Sequence, residues 1–376
     1  MGVEEELLVV DPRTSSVTSR AREVLREHAD HDHHEDRRTP RRASDELDKE
    51  LFRHQLELRT DPASDIDDLV RQVVAGRRTA ADAAQAVDLA VAACASVPLG
   101  VDVPEVTSDD RYRDMVDTFG EVARFGTACG MHVHVAIDSD EEGVGCLDRI
   151  APWLPVLLAM SVNSPFFAGR DTGYASWRTQ QWSSWPSAGP TETFGSLAGY
   201  RRAADRMIAS GAARDRAMLY WDARLAERHP TLEVRVLDVA TDVDDTGMLA
   251  ALTRALVETA AQAWSADVEP LDWRSEELRA ARWRASRYGL SDALLDPAIH
   301  ELRPAREVVE ALVGHVSERL DAAGDTDRVA AGVERVLAAT GAARQRAAFE
   351  RTGSVEGVVA DVLARTAASW ASPSAR

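Results

Sequence analysis

Four segments, widely separated along the chain, read as strands with a polar face: GVEEELLVVD (2–11), which carries Glu4 and Glu6 two residues apart, and QLELR (55–59), CGMHVHVAI (129–137) and TLEVRVLDV (231–239), which alternate apolar and polar residues with a period of two. Successive side chains of a strand point to opposite faces, so this period constrains the chain to half-buried strands. Glu4 and Glu6 share a face in the first. Gln55, Glu57 and Arg59 share one in the second, with Leu56 and Leu58 opposite. His132 and His134 stand together in the third, against Met131, Val133 and Val135. Thr231, Glu233 and Arg235 oppose Leu232, Val234 and Val236 in the fourth. The apolar faces require a cover of helices, each large side chain gaining about 1.5–3 kcal/mol on burial. The polar faces then line one concave surface.

Helical spacing predicts helices over 65–96, 109–124 (with Asp109 as a cap), 244–265, 273–288, 304–322, 325–340 and 354–370. The apolar run 150–168 approaches membrane-spanning length, but Pro152, Pro155, Asn163 and Pro165 interrupt it, so a buried helix is expected and no membrane. Segment 27–44 reads as a polar loop, and 169–200, rich in Gly, Ser, Pro and aromatic residues, as a long one. Strands and helices mix without regular βαβ alternation. The expectation is an α+β fold with a largely antiparallel sheet, one domain over 1–376 whose C-terminal portion, about 244–370, is helical.

With 45% hydrophobic residues, a sizeable core can form. A formal charge of −19 argues against nucleic acid or an anionic membrane as partner, because both attract clustered Lys and Arg. Lys49 is the single lysine and sits in LDKELF, so no phosphate-binding loop of the G-x-x-x-x-G-K-[ST] type is present. Cys94, Cys129 and Cys146 show neither zinc-site nor disulfide spacing, and the acidic start MGVEEELLVVD lacks a signal-peptide layout. Both point to a reduced cytoplasm.

Carboxylates brought together on one face repel and raise each other's pKa. A divalent cation removes that conflict. Mg2+ and Mn2+ take carboxylate oxygens, and Mn2+ in particular tolerates an imidazole. A lone E-x-E strand is more often a solvated face, H-x-H pairs occur on surfaces, and Glu233 with Arg235 could be a cross-strand ion pair. The coincidence of four such faces selects a metal-bearing surface, with His132 completing a shell of glutamates. The run His28, His31, His33 and His34 has no regular structure to set its geometry and reads as solvated loop. Trp177, Trp182 and Trp185 either line a pocket or staple the long loop to the core.

GVEEELLVVD, CGMHVHVAI, NSPFFAGRDTGYASWR, WDARLAERHPTLEVRVLD and RWRASRYGL together resemble the YbdK-type carboxylate–amine ligases, the glutamate–cysteine ligase type 2 family, from residue 2 to about 365. The resemblance implies a catalytic domain like those of glutamine synthetase and the guanidino kinases, with the active site on the concave face of the sheet and helices on the other. It implies Glu4, Glu6, Glu57, His132 and Glu233 as metal ligands, and Glu50 as a further acid. His132 would lie near the nucleotide phosphates, Arg235 would face phosphate, and Arg178 of YASWR would meet a substrate carboxylate or phosphate. The implied reaction uses ATP and Mg2+, with Mn2+ as an alternative ion. An acyl phosphate forms on the γ-carboxylate of L-glutamate, and L-cysteine or another amine attacks it to give an amide, ADP and phosphate.

The family commonly carries a Thr-His-Pro-like stretch before the helix opening on Arg-Tyr. ASVPLGVDVPEVTSDDRY has no histidine there, which bears on substrate contacts more than on the metal shell. The same face could also serve a metal-dependent guanidino-type phosphotransferase, or a nucleotide- and metal-binding regulatory protein without turnover. A homodimer is the base-rate expectation for oligomeric state.

Overall fold

The computed structural model describes residues 1–32, 47–49, 52–100, 110–125 and 127–371. Its strands are β1 (Gly2–Asp11), β2 (Ser16–Val17), β3 (Leu47–Lys49), β4 (Gln55–Arg59), β5 (Ala90–Ala92), β6 (Gly130–Ala136), β7 (Phe166–Phe167), β8 (Arg170–Asp171), β9 (Ala223–Leu225), β10 (Thr231–Asp238), β11 (Ala293–Leu295) and β12 (Leu302–Pro304). The main sheet runs β3-β4-β1-β6-β10-β9, with β2 and β5 also paired to β1; β7-β8 and β11-β12 form two small hairpins. Every strand pairing in the main sheet is antiparallel. The fold is therefore α+β with an antiparallel sheet, as the period-two segments require.

The helices are α1 (Ala21–Asp32), α2 (Ile66–Gln85), α3 (Asp110–Phe119), α4 (Glu121–Phe125), α5 (Asp140–Ile150), α6 (Leu154–Ser161), α7 (Trp177–Trp182), α8 (Leu197–Ala209), α9 (Val243–Ser265), α10 (Ser275–Tyr288), α11 (Ala305–Ala323), α12 (Thr326–Ala338), α13 (Gly341–Thr352) and α14 (Val355–Ala368). The apolar strand faces meet them. Val133 and Val135 of β6 and Val234 and Val236 of β10 share one buried core with Leu147 of α5, Leu157 of α6 and Leu252 of α9. A second core joins Leu7 to Val10 of β1 with β5, the end of α2 and Val359 and Val362 of α14.

The odd residues of β1 face this helical layer, which puts Glu5 in the core beside Val3 and Leu7. Arg77 of α2 meets it in a two-pronged ion pair, Nε to Oε2 at 2.8 Å and Nη2 to Oε1 at 2.7 Å. The remaining guanidinium hydrogens donate to the carbonyls of Ala240 (2.7 Å) and Thr241 (2.8 Å) and to Ser369 Oγ (3.1 Å). This network ties the central strand to α2, to the entry of α9 and to the chain after α14.

Several boundaries differ from the expected ones. The helix expected over 65–96 stops at Gln85; Asp88 turns the chain at φ 58°, and Ala90–Ala92 pairs with β1 instead. A short apolar run reads alike as buried helix or strand, and the free flank of β1 decides it. The helix expected over 109–124 breaks at Gly120, whose φ of 57° no helix accommodates; Asp109 lies outside the described residues. The run 150–168 is not one helix. Pro152 opens a 3-10 turn, α6 follows, and Val162 leads out towards β7. Asp140–Ser161 is long and apolar enough to cross a membrane by composition, but 89% of that apolar window is buried inside the fold.

Residues 27–32 belong to α1 rather than to a loop, because the amphipathic helix begun at Ala21 continues through them. Histidines His28 and His31 therefore sit on a helix, and His33 and His34 lie outside the described residues. The segment 169–200 holds β8, α7 and the start of α8, the latter two opened by serine caps at Ser176 and Ser196. Helix α13 was not expected: its apolar set is mainly alanine, which carries little periodic signal.

Candidate active site

The antiparallel register converts the alternation into rows across the sheet. Glu6 of β1 faces Glu57 of β4. One step along, Glu4 lies between Arg59 and His132. In the next row Glu233 of β10 lies between His134 and Arg224 of β9. All of these line one open cavity of about 640 Å³, together with Arg235. Among the sequence-expected residues, Glu4, Glu6, Glu57, His132, Glu233 and Arg235 thus share a single cavity. Glu50 lies outside the described residues, and Arg178 is not among the lining side chains.

Two carboxylates directly opposite one another on adjacent strands destabilise a sheet unless something offsets their charge. Arg59 donates to Glu57 at 2.5 Å and lies 3.7 Å from Glu4. Burial pushes the Glu6 carboxyl up to about 7; the charge on Glu57 adds to this, and Arg178 and the Gly130 N–H, which donates to Glu6 Oε2 at 2.7 Å, oppose it. Glu4 behaves oppositely. Burial works to raise its pKa, but the hydrogen bond from His132 and the nearby His134 imidazole outweigh it and hold the carboxyl below its ordinary range. Glu233 follows the same pattern, with burial overcome by Arg235 and Arg224. Arg224 Nε donates to it at 2.7 Å, and Arg235 pairs with its other oxygen.

The two imidazoles differ. Burial and the Arg235 charge pull His132 down to about 4, so the ring is neutral, with Nδ1 donating to Glu4 Oε2 at 3.1 Å. Its Nε2 lies 4.0 Å from Glu6 Oε1. The His134 ring is held through Nδ1, 3.0 Å from Thr231 Oγ1. Its Nε2 is buried with no hydrogen-bond partner among the described residues, 3.6 Å from Glu4 Oε1. One ligand atom each from Glu4, His134 and Glu233 lies within 4.8 Å of the others. An orphaned imidazole nitrogen facing two carboxylates, its other nitrogen fixed by a hydroxyl, is a donor set that fits a divalent cation.

His134 was not assigned a ligand role from sequence, although H-x-H placed it beside His132. Arg224 was missed because only the β9–β10 register sets it against Glu233. The rest of the cavity wall includes Tyr112 and Met115 of α3, Trp182, Trp185 and Tyr220. Tyr220 packs on Trp182 and Trp185 at ring separations of 4.6 and 5.3 Å. Trp177 is elsewhere, against Phe167 and Tyr174. The loop tryptophans therefore divide between the two readings.

The family model of glutamate–cysteine ligase family 2 matches residues 1–364. Among similar sequences, one from Nocardioides sp. named "Putative glutamate–cysteine ligase 2-1" is 58% identical over 370 residues, covering 98% of this chain and 96% of the relative. One from Streptomyces coelicolor named "Putative glutamate–cysteine ligase 2" is 45% identical, covering 98% and 99%. Two solved structures share the fold at 14% identity. A glutamate–cysteine ligase from Francisella tularensis in complex with AMP superposes with a TM-score of 0.64, covering 99% of this chain and 89% of that one. A bifunctional glutathione synthetase from Pasteurella multocida gives 0.68, and this chain spans about half (52%) of its length.

Proposed function

The chain belongs to the glutamate–cysteine ligase family 2, and on that premise we propose that it catalyses ATP-dependent carboxylate–amine ligation. The observation that carries the reading is the convergence of Glu4, Glu6, Glu57, His132, His134, Glu233 and Arg235 from four strands on one cavity. A carboxylate resists attack by an amine because its leaving group would be oxide. Transfer of the γ-phosphoryl group of ATP makes it an acyl phosphate, and phosphate then leaves when the amine attacks. The acyl donor is L-glutamate through its γ-carboxylate, and the acceptor is L-cysteine or another amino compound.

Glu4, Glu6, Glu57, His132, His134 and Glu233 would hold Mg2+ or Mn2+, which supplies charge neutralisation between phosphate and carboxylate oxygens. The chain's own groups do the rest. Arg235, buried and beside Glu233, presents a permanent positive charge that neutralises the phosphoryl group in transit. His132, neutral in its buried place, donates to Glu4 and keeps that carboxylate ionised. Thr231 fixes the ring of His134 so that Nε2 faces the acids. Trp182, Trp185 and Tyr220 form an apolar wall that limits water around a reactive acyl intermediate.

The test is incubation with ATP, Mg2+ or Mn2+, L-glutamate and a panel of amines that includes L-cysteine. Phosphate release that depends on both glutamate and an amine, with a matching amide seen by mass spectrometry, is the expected result. Absence of amine-dependent release across the panel overturns the reading. A stable phosphorylated product without an amide would instead indicate a phosphotransferase.

A further inference from the structure

Arg178, expected at the substrate, is buried in an arrangement that contacts main chain. Strand β10 carries one residue more than β6 in their shared ladder. Val234 faces Val133 and Leu237 faces Met131, so Arg235 and Val236 together oppose His132. Such a bulge interrupts the ladder and re-aims the side chains around it. Here it lets Glu233 and Arg235 line the cavity while Val236 and Leu237 both enter the apolar core. Carbonyls at a bulge need donors from outside the ladder. Arg178 supplies them: Nη2 donates to the carbonyl of Arg235 at 3.1 Å and Nη1 to that of Val236 at 3.3 Å. From the neighbouring segment, the Asp222 carbonyl accepts from the Arg235 N–H at 2.8 Å.

The guanidinium is itself held. The Arg178 main-chain N–H donates to Ser164 Oγ at 3.1 Å, which fixes the backbone that carries the side chain, and Asp238 Oδ1 lies 4.0 Å from Nη1 of the guanidinium. Asp238 is fully buried and accepts from the Asn163 N–H, Ser164 Oγ and Ser176 Oγ, each at 2.8 Å. On its other side the guanidinium presses on Gly130, where an added Cβ would lie 2.3 Å from Nη2. That residue has to be glycine for the clamp to seat, and its N–H also fixes Glu6.

We propose that Arg178 is a positioning residue: it clamps the β10 bulge through two carbonyls and so aims Arg235 into the active-site cavity. For the reaction that Arg235 serves, this rests on the ligase reading; the clamp itself does not. A lysine keeps the charge but lacks the planar fork that spans both carbonyls.

The experiment compares Arg178→Met, Arg178→Lys, Gly130→Ala and the Gly130→Ala/Arg178→Met double variant, all in the full chain. Amide hydrogen exchange at 234–237 should rise about tenfold or more in each single variant, with β4 unchanged. In the ligase assay kcat should fall about tenfold or more while the KM for L-glutamate stays within about twofold. The double variant should be no worse than Arg178→Met, because removing the guanidinium removes what the new methyl group meets. Arg178→Lys reads the same quantities if the methionine variant does not fold. A raised KM with kcat intact would make Arg178 a substrate contact and overturn the proposal. So would unaltered exchange at the bulge, or losses that multiply in the double variant. Failure of the wild-type chain to ligate would sink only the ligase reading, and the exchange measurement would still decide on the clamp.

Discussion

Arg77→Met is expected to be among the most damaging single substitutions outside the cavity. Glu5 is 1% exposed and Arg77 is fully buried, so the substitution leaves a carboxylate in the core without its counter-charge. Breaking a buried pair in this way costs about 3–5 kcal/mol. The carbonyls of Ala240 and Thr241 each lose a donor as well, at roughly 1 kcal/mol apiece. The total of about 5–7 kcal/mol approaches the whole stability of many domains, which is about 5–15 kcal/mol. Glu5→Leu/Arg77→Met removes both charges and fills the space with apolar groups. It should recover most of the first contribution and leave a deficit of about 2 kcal/mol from the two carbonyls. Urea unfolding followed by fluorescence of the nine tryptophans would measure both variants and Glu5→Leu, closing a double-mutant cycle in which the double variant is destabilised by less than the sum of the two single variants. The reasoning is refuted if Arg77→Met lies within about 1 kcal/mol of the parent, or if the double variant is no more stable than Arg77→Met.

Other outcomes follow from single contacts. His54 is fully buried beside Phe52, neither ring nitrogen has a partner among the described residues, and burial pulls its pKa from 6.5 to about 4. Between those values the unfolded chain binds a proton that the folded chain does not, so stability should fall by about 3 kcal/mol as the pH drops through that window. His54→Leu should flatten that slope, and unfolding curves at pH 7 and about 4.5 that shift equally in both proteins would contradict it. Thr231→Val removes the hydroxyl that fixes His134, so Mn2+ affinity read by electron paramagnetic resonance should weaken about 10–100-fold. An unchanged affinity would take His134 out of any cation shell. Glu233→Gln should lower amine-dependent phosphate release by about a hundredfold or more with the circular dichroism spectrum preserved. Release near the parent rate would show that Glu233 is not part of the machinery.

How much of the site was readable depends on how far each feature reaches through the chain. The faces of β1, β4, β6 and β10 follow from the period of two, which is a property of extended backbone and needs no tertiary information. That is why Glu4, Glu6, Glu57, His132, Glu233 and Arg235 could be grouped before any coordinates, and why the antiparallel α+β architecture was evident. Strand β9 is three residues long, too short for a pattern, so Arg224 escaped notice. Strand β5 was absorbed into a helix because three apolar residues carry no period of their own.

Alternation and composition alone determined that this chain forms two-faced strands whose polar sides collect acids, imidazoles and two guanidinium groups. Only the packed structure decided which of those groups meet. Register sets Glu6 against Glu57 and Glu233 against His134. One extra residue in β10 turns Arg235 outward and Leu237 inward. Arg178 goes to main-chain carbonyls, and Glu5 to Arg77 across 72 residues of sequence. The physical reason is range. The direction of a side chain on a strand is local geometry, whereas its partner is chosen by contacts between distant segments whose energies exist only once the core has closed.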